Sequence, residues 1–262
     1  MYKSRVLALA VLALAVGISG CAKRESGSTK SITTGGTEAA STTPVKRLSQ
    51  AEAGNAIAYW EKRYAKAPKS KKVGLNYASA LRLRGRNAQA LAVMRKIVIH
   101  HPRDRQVLAA YGKALAGAGQ FKKALRVVRR AQLDDRPDWK LHSAEGAIND
   151  QLGRPQQARA SYNRALKIRP DEPSVLSNLG MSHLLTGDLK SAERYLRRAV
   201  NGRNADSRVR QNLALVVGLQ GRFKEAERIA SAELSPAQAQ ANVRILRSML
   251  REQGAWKKMK DG

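Results

Sequence analysis

The sequence predicts an all-α solenoid of antiparallel helix pairs, and three observations predict it. Gly85, Gly119, Gly153, Gly187 and Gly221 follow one another at intervals of 34 residues. Two further columns keep the same register. Seven residues before each glycine stand Ala78, Gly112, Gly146, Gly180 and Ala214, and five after stand Ala90, Ala124, Ala158, Ala192 and Ala226. Pro102 and Pro170 fall at equivalent places, with Pro137 one place late. Self-similarity at such a period is the signature of a repeat architecture.

Physical chemistry turns the lattice into helices. A glycine in the left-handed conformation is the common stop after a helix, so each lattice glycine ends a first helix. The alanines mark where two helices cross, because a small side chain lets the backbones approach. Tyr77, Leu81, Met94, Tyr111, Leu115, Val128, Leu179, Leu184 and Leu196 are the expected gap-fillers. A fourth column, Ile97, Ala131, Ala165 and Ala199, stays apolar until Glu233. The prolines close second helices, since proline cannot continue one and biases the residue before it away from helix.

Here the chain resembles the tetratricopeptide repeat (TPR) family. Leu176-x2-Leu179-Gly180 and Ala192-x3-Leu196, with Pro170 closing the preceding repeat, match that family's signature. His183 stands where an aromatic residue or leucine is usual, and Asn204 replaces the closing proline. The resemblance implies a right-handed TPR α-solenoid whose first helices line a concave surface and whose second helices form a convex one. It is specific for fold and says little about the partner.

From the start of the chain, residues 1–20 read as a lipoprotein signal peptide. Lys3 and Arg5 precede the apolar run Val6 to Ile18, 13 residues long and too short to span a bilayer. Ile18-Ser19-Gly20-Cys21 then fits the bacterial lipoprotein box, with cleavage between Gly20 and Cys21 and a covalent lipid on Cys21. The plainer alternative is an ordinary signal peptide with an incidental cysteine. Cys21 is the only cysteine, so no intramolecular disulfide is possible. Ala22, not aspartate, follows it; by the enterobacterial rule this directs the protein to the outer membrane. Residues 21–48 are expected to form a disordered Ser/Thr/Gly tether, too poor in apolar residues to fold.

Residues 49–70 should form an N-terminal capping helix, a half repeat. Ser49 and Glu52 make a capping box, and Ala56, Trp60 and Pro68 continue the columns of Ala90, Met94 and Pro102 backwards. Five full repeats occupy 71–234. Residues 235–262 supply a C-terminal capping helix and tail. Pro236 sits at the favoured first helical position, and Val243, Leu246, Met249 and Leu250 form one stripe. Gly254 is expected to end that helix and Trp256 to fold back. This gives twelve helices and no strand.

Lysine and arginine total 49 against 20 acidic residues, a net charge of +29. Lys122, Lys123, Arg126, Arg129 and Arg130, like Arg194, Arg197 and Arg198, fall on second helices. They are therefore expected on the outer face, as a solvated basic surface or one attracted to anionic lipid headgroups. A nucleic-acid partner is not expected, because an exported lipoprotein meets little of it; a basic nucleic-acid-binding protein is the remote alternative, and it requires a false signal.

No phosphate loop, dinucleotide fingerprint, zinc-protease helix or serine elbow occurs. His100 and His101 are adjacent and point about 100° apart on a helix, and His142 and His183 stand alone, so no metal is expected. His183 fits a packing column with no ligand partner at metal spacing. No enzyme and no cofactor beyond the lipid is predicted. A binding function should lie in the groove, where matching columns place Lys72, Asn76 and Ser79, then Lys113, Lys140 and Ser143, then Asn178, Arg208 and Asn212. The asparagines suit an extended peptide backbone and the cations its acidic groups. Members of the TPR family with a carboxylate clamp carry paired asparagines and lysines; here Ala110 and Ala144 interrupt the asparagine column.

The lipobox, tether and repeats together resemble the repeat lipoproteins of the Flp-type (Tad) pilus assembly system. The ending Ala241-Asn242-Val243-Arg244-Ile245-Leu246-Arg247-Ser248-Met249-Leu250 is similar to that family's C-terminal helix. The resemblance implies an outer-membrane assembly factor with its repeats in the periplasm, acting as a protein–protein scaffold and as a pilotin for the secretin channel. The alternative is a periplasmic scaffold that recruits peptidoglycan enzymes.

Overall fold

The computed structural model describes residues 50–261 apart from Asp134, with side chains described across 56–252. The signal segment, Cys21, the tether and the Ser49–Glu52 capping box lie outside the residues so described. Among the described residues there are twelve helices and no strand. They are α1 (Gln50–Lys66), α2 (Lys71–Leu83), α3 (Asn87–His100), α4 (Arg105–Gly117), α5 (Phe121–Ala131) and α6 (Trp139–Gln151). Then come α7 (Pro155–Ile168), α8 (Pro173–Leu185), α9 (Leu189–Val200), α10 (Ser207–Leu219), α11 (Phe223–Ala230) and α12 (Pro236–Asp261).

The lattice glycines do what their spacing predicts. Gly85, Gly119, Gly153, Gly187 and Gly221 have φ of 71°, 74°, 70°, 81° and 83°. The residue after each donates back to a carbonyl five positions earlier, as in Arg86 N to Leu81 O at 2.9 Å and Gln120 N to Leu115 O at 2.9 Å. This closure satisfies carbonyls that the helix end leaves without partners. The first helices begin just as regularly. Their N-caps Ser70, Asp104, Asp138, Glu172 and Asp206 also lie 34 residues apart. All but Glu172 accept a backbone N–H of the first turn.

Within the first four pairs the crossing is built from one small and one larger residue 16 positions apart; in the fifth both are alanines, Ala214 and Ala230. A Cβ on Gly112 would lie 2.5 Å from Val128 Cγ2, and one on Gly180 would lie 2.9 Å from Leu196 Cγ. Ala90, Ala124, Ala158 and Ala192 are fully buried at the same crossings. First helices of successive repeats also touch one another, whereas each second helix packs on the first helices before and after it. The first helices α2, α4, α6, α8 and α10 therefore form the inner layer, and α1, α3, α5, α7, α9 and α11 the outer one.

Helix α12 covers the open end of the last repeat. Ala239, Val243 and Leu246 are buried, and Leu246 Cδ2 fills the space that a Cβ on Gly218 would need. One expectation fails here. The helix runs through Gly254 to Asp261, so Gly254 does not stop it and the chain does not turn back at Trp256. A glycine inside a helix costs only about 1 kcal/mol relative to alanine, and Ala255, Lys257, Lys258, Met259 and Lys260 after it favour helix.

Candidate protein-binding groove

The inner layer presents columns of side chains along the solenoid axis. Lys72 and Lys140 are exposed at equivalent places on α2 and α6, and Arg208 on α10. Lys140 lies with its Nζ 5.5 Å from the Trp139 ring centre, and Arg208 pairs with Asp206 at 2.7 Å. Lys113 on α4 and Ser79 on α2 are half-buried in one column. The sequence-predicted residues thus share a layer, yet they do not converge on one point.

The asparagines are joined to the protein itself. Asn178 Nδ2 donates to Ser143 Oγ at 3.3 Å, and Asn212 Nδ2 donates to Ser177 Oγ at 3.1 Å. Each bond spans 35 residues and ties a first helix to the one before it. Asn76 Nδ2 donates instead to Lys72 O within α2. Ala110 and Ala144 leave the ladder without its first two steps, so it links only the third to fifth repeats.

Sequence reading by polar residues alone missed the other half of this surface. The column that begins with Ser79 and Lys113 continues as Ala147, Met181 and Leu215. Met181 and Leu215 are half-buried, as are Leu185 and Leu219 one turn further along their helices. This column therefore changes along the solenoid, from polar and basic in the first two repeats to apolar in the last two, whereas the columns of Lys72 and Asn76 end polar at Arg208 and Asn212 and exposed Leu83 already stands at the place of Leu185. Following the column of Ser79 through all five repeats shows the change in sequence.

Buried polar groups cluster at the middle repeats. Asp150, at the end of α6, accepts from Tyr162 Oη at 2.9 Å and from Ser182 Oγ at 2.7 Å. Burial pushes its carboxyl above the usual range despite these donors. Arg159 joins by donating to Ser182 O at 3.2 Å and to Thr186 Oγ1. Asn149 beside it is fully buried, with neither amide atom partnered. Glu145 receives Arg129 Nε at 2.8 Å and lies 3.7 Å from Arg164. Gln132 Nε2 lies 2.7 Å from His142 Nε2, and burial lowers the pKa of that histidine.

A carboxylate does stand beside His183, contrary to the sequence expectation: Asp188 Oδ2 is 3.0 Å from its Nδ1. The ring also stacks on Tyr195, with centres 5.3 Å apart. Asp188 is the N-cap of α9 and accepts from Ser191 N at 3.0 Å, which with its other bonds draws its pKa down to about 2. Burial, ahead of that carboxylate, lowers the pKa of His183. Asp150, Arg159, Glu145 and Asp188 each secure a helix end or a helix junction. The buried hydroxyls of Ser182 and Tyr162 both donate to Asp150, and the ring of His183 faces Asp188 and Tyr195 instead. No group of three or more metal-ligating side chains occurs among the described residues, and none of their helices is long and apolar enough to cross a membrane.

The outer layer is strongly basic, though not uniformly free. Arg197 lies 2.7 Å from Glu193 and 2.5 Å from Glu225, and Arg222 contacts the same two carboxylates. Arg198 pairs with Asp171 at 2.5 Å. Arg129 is held by Glu145, as above. Lys122, Lys123 and Arg126 on α5 are exposed and have no acidic partner among the described residues.

Two tetratricopeptide repeat models match residues 81–148 and 148–208. No curated protein matches. Among solved structures, TTC0263, a thermophilic TPR protein of Thermus thermophilus, is 22% identical with a TM-score of 0.57; the match covers 64% of this chain and 91% of that one. PilW, a widely conserved type IV pilus biogenesis factor, is 19% identical with a TM-score of 0.59, covering 72% and 90%. PilF of Pseudomonas aeruginosa is 17% identical with a TM-score of 0.51, covering 74% and 91%. With the glycine lattice, the paired helices and these matches in agreement, residues 81–208 are tetratricopeptide repeats and the chain folds as an all-α TPR solenoid, of the kind that serves as a scaffold for protein–protein interaction.

Proposed function

We propose that this chain is a lipid-anchored outer-membrane scaffold of Flp-type (Tad) pilus assembly that grips a protein segment in its inner groove and serves the secretin as a pilotin. The observation that carries the reading is the change along one inner column, from Ser79 and Lys113 through Ala147 to Met181 and Leu215, beside exposed cations at Lys72 and Lys140. Lys72, Lys113 and Lys140 suit acidic side chains or a carboxylate terminus, while Met181, Leu185, Leu215 and Leu219 suit an apolar stretch. One amphipathic segment satisfies both. The lipobox at Cys21 and the likeness to PilW and PilF support the pilus setting.

The test compares two charge-matched pairs in cells. Lys72→Glu with Lys140→Glu alters the groove; Lys224→Glu with Arg228→Glu alters exposed cations of α11. Arg129 and Arg197 make poor controls because reversing either also breaks an ion pair. Both pairs change net charge equally, so long-range steering changes about equally, and only the groove pair sets like charge against an acidic partner. Loss of surface pili and secretin multimers in the groove pair alone is the expected result. Equal losses, or none, would overturn the reading. For the anchor, Cys21→Ser should abolish incorporation of labelled fatty acid, since serine forms no thioether.

A further inference from the structure

The outer surfaces of α3, α5 and α7 set the first three repeats apart from the rest. Together these helices carry ten lysines and arginines and no aspartate or glutamate. On α9 and α11, by contrast, Glu193, Glu225 and Glu227 intervene. Of the ten, Arg129, Arg159 and Arg164 are engaged within the protein, and Arg130 donates to Pro102 O at 2.8 Å, which leaves its charge uncompensated. Arg95, Lys96, Lys122, Lys123, Arg126 and Lys167 are exposed, with no acidic partner among the described residues. Ile99, one turn from Arg95 and Lys96, is 73% exposed. The surface continues onto α1, where Lys62 and Lys66 are exposed.

We propose that this outer face docks on the headgroups of an anionic lipid membrane, with α5 at its centre. The inference rests on the membrane-anchored reading above. Two observations select lipid over nucleic acid. The face belongs to the outer layer of helices, on the side opposite the inner groove. No exposed aromatic ring stands on α3, α5 or α7 for bases to stack on, Phe121 being half-buried and Tyr162 buried; Tyr59 on α1 is exposed, but its ring is already taken by Trp60 edge-on and by Arg63 at 4.8 Å. An exposed isoleucine among cations is instead what a headgroup layer accommodates. The position of α1 agrees. It belongs to the outer layer beside α3 and receives the 49 residues that precede it, including the apolar run and Cys21. The tether expected over 21–48 would reach roughly 30 Å on coil scaling, which keeps this face within range of its own membrane. Docking would lay the solenoid on its outer side and turn the groove away from the bilayer toward a partner.

The test uses the full chain with Cys21→Ser, so that no covalent lipid contributes, and sediments it with phosphatidylcholine vesicles or with vesicles containing roughly 30% phosphatidylglycerol. The quantity read is the ratio of the two affinities, which cancels what the apolar run Val6 to Ile18 contributes to both. Lys122→Glu with Lys123→Glu should lower that ratio by roughly thirtyfold. Lys72→Glu with Lys140→Glu, equal in charge but on the inner face, should lower it far less. All four sites are exposed and outside any ion pair among the described residues, and unchanged helicity checks the fold. Salt at about 500 mM should erase the preference. Equal losses in the two variants would mean that net charge alone is felt, and the proposal fails. It fails too if the chain shows no preference for the anionic vesicles, or if it binds a labelled single-stranded oligonucleotide more tightly than them and the α5 variant removes that binding. Fatty-acid labelling of the native chain separates the two readings. Preference for anionic vesicles without label sinks the anchor and leaves the docking face, whereas label without preference does the reverse.

Discussion

The ring of Tyr162 occupies the space that a side chain on Gly146 would need: a Cβ there would lie 2.5 Å from Cε1. The glycine is required at this crossing by contact. Gly153, seven residues on, is required by conformation, since its φ is 70° and nothing lies within 4 Å of where its Cβ would stand. One residue type thus serves two purposes in a single repeat.

These purposes separate by mutation. Gly146→Ala should cost about 1–3 kcal/mol through overpacking, and Gly153→Ala about 1–2 kcal/mol through left-handed strain. Gly153→Asn should cost less than Gly153→Ala, because asparagine tolerates that conformation, while Gly146→Asn should cost more than Gly146→Ala. Denaturant midpoints for the four variants check the crossed order. Similar rankings at both sites would remove the distinction.

Tyr162→Phe removes a donor from the buried Asp150 carboxyl and should cost about 1–3 kcal/mol at neutral pH. Burial already raises that carboxyl's pKa, so its contribution to stability is full below the unfolded value of 3.8 and is lost as pH rises through the folded value. Losing the tyrosine donor raises the folded value further. The deficit of the variant should therefore grow from acid toward neutral pH. A deficit independent of pH would assign Tyr162 a packing role alone.

Glu193 runs the other way. The Arg222 hydrogen bond, helped by Gln220 and Arg197, draws its pKa from 4.5 to about 2. Its contribution is present above the unfolded value and disappears as pH falls through that window. Glu193→Gln should flatten the acid limb of stability between about pH 4.5 and pH 2, and most of the loss should fall at the junction of the last two repeats. Melting midpoints across that window test this.

The Asn–Ser ladder should act as a set of local staples. Asn178→Ala and Asn212→Ala each remove one inter-repeat bond and should cost about 0.5–1.5 kcal/mol. Amide exchange should quicken at α6–α8 for the first and at α8–α10 for the second, because repeats feel only their neighbours. Uniform acceleration along the chain would contradict the staple.

The sequence by itself determined where helices end and where they cross. Both depend on local rules: a left-handed glycine stops a helix wherever it stands, and a small residue at a fixed offset admits a neighbouring backbone. The N-cap column Ser70, Asp104, Asp138 and Asp206 obeys a rule of the same local kind and was equally legible. The persistence of α12 through Gly254 was not, because a helix end there would need a stop stronger than the propensity of the residues that follow. Tertiary structure alone decided which polar groups meet. Asn178 finds Ser143, Arg129 finds Glu145 and Arg222 finds Glu193 through the rotation between successive repeats, which no 34-residue column specifies. The same rotation separates the outer cations that are spent on ion pairs, such as Arg197, from those left facing solvent, such as Lys122. The charge of a helix can be read along the chain; whether that charge is already answered depends on what the fold sets beside it.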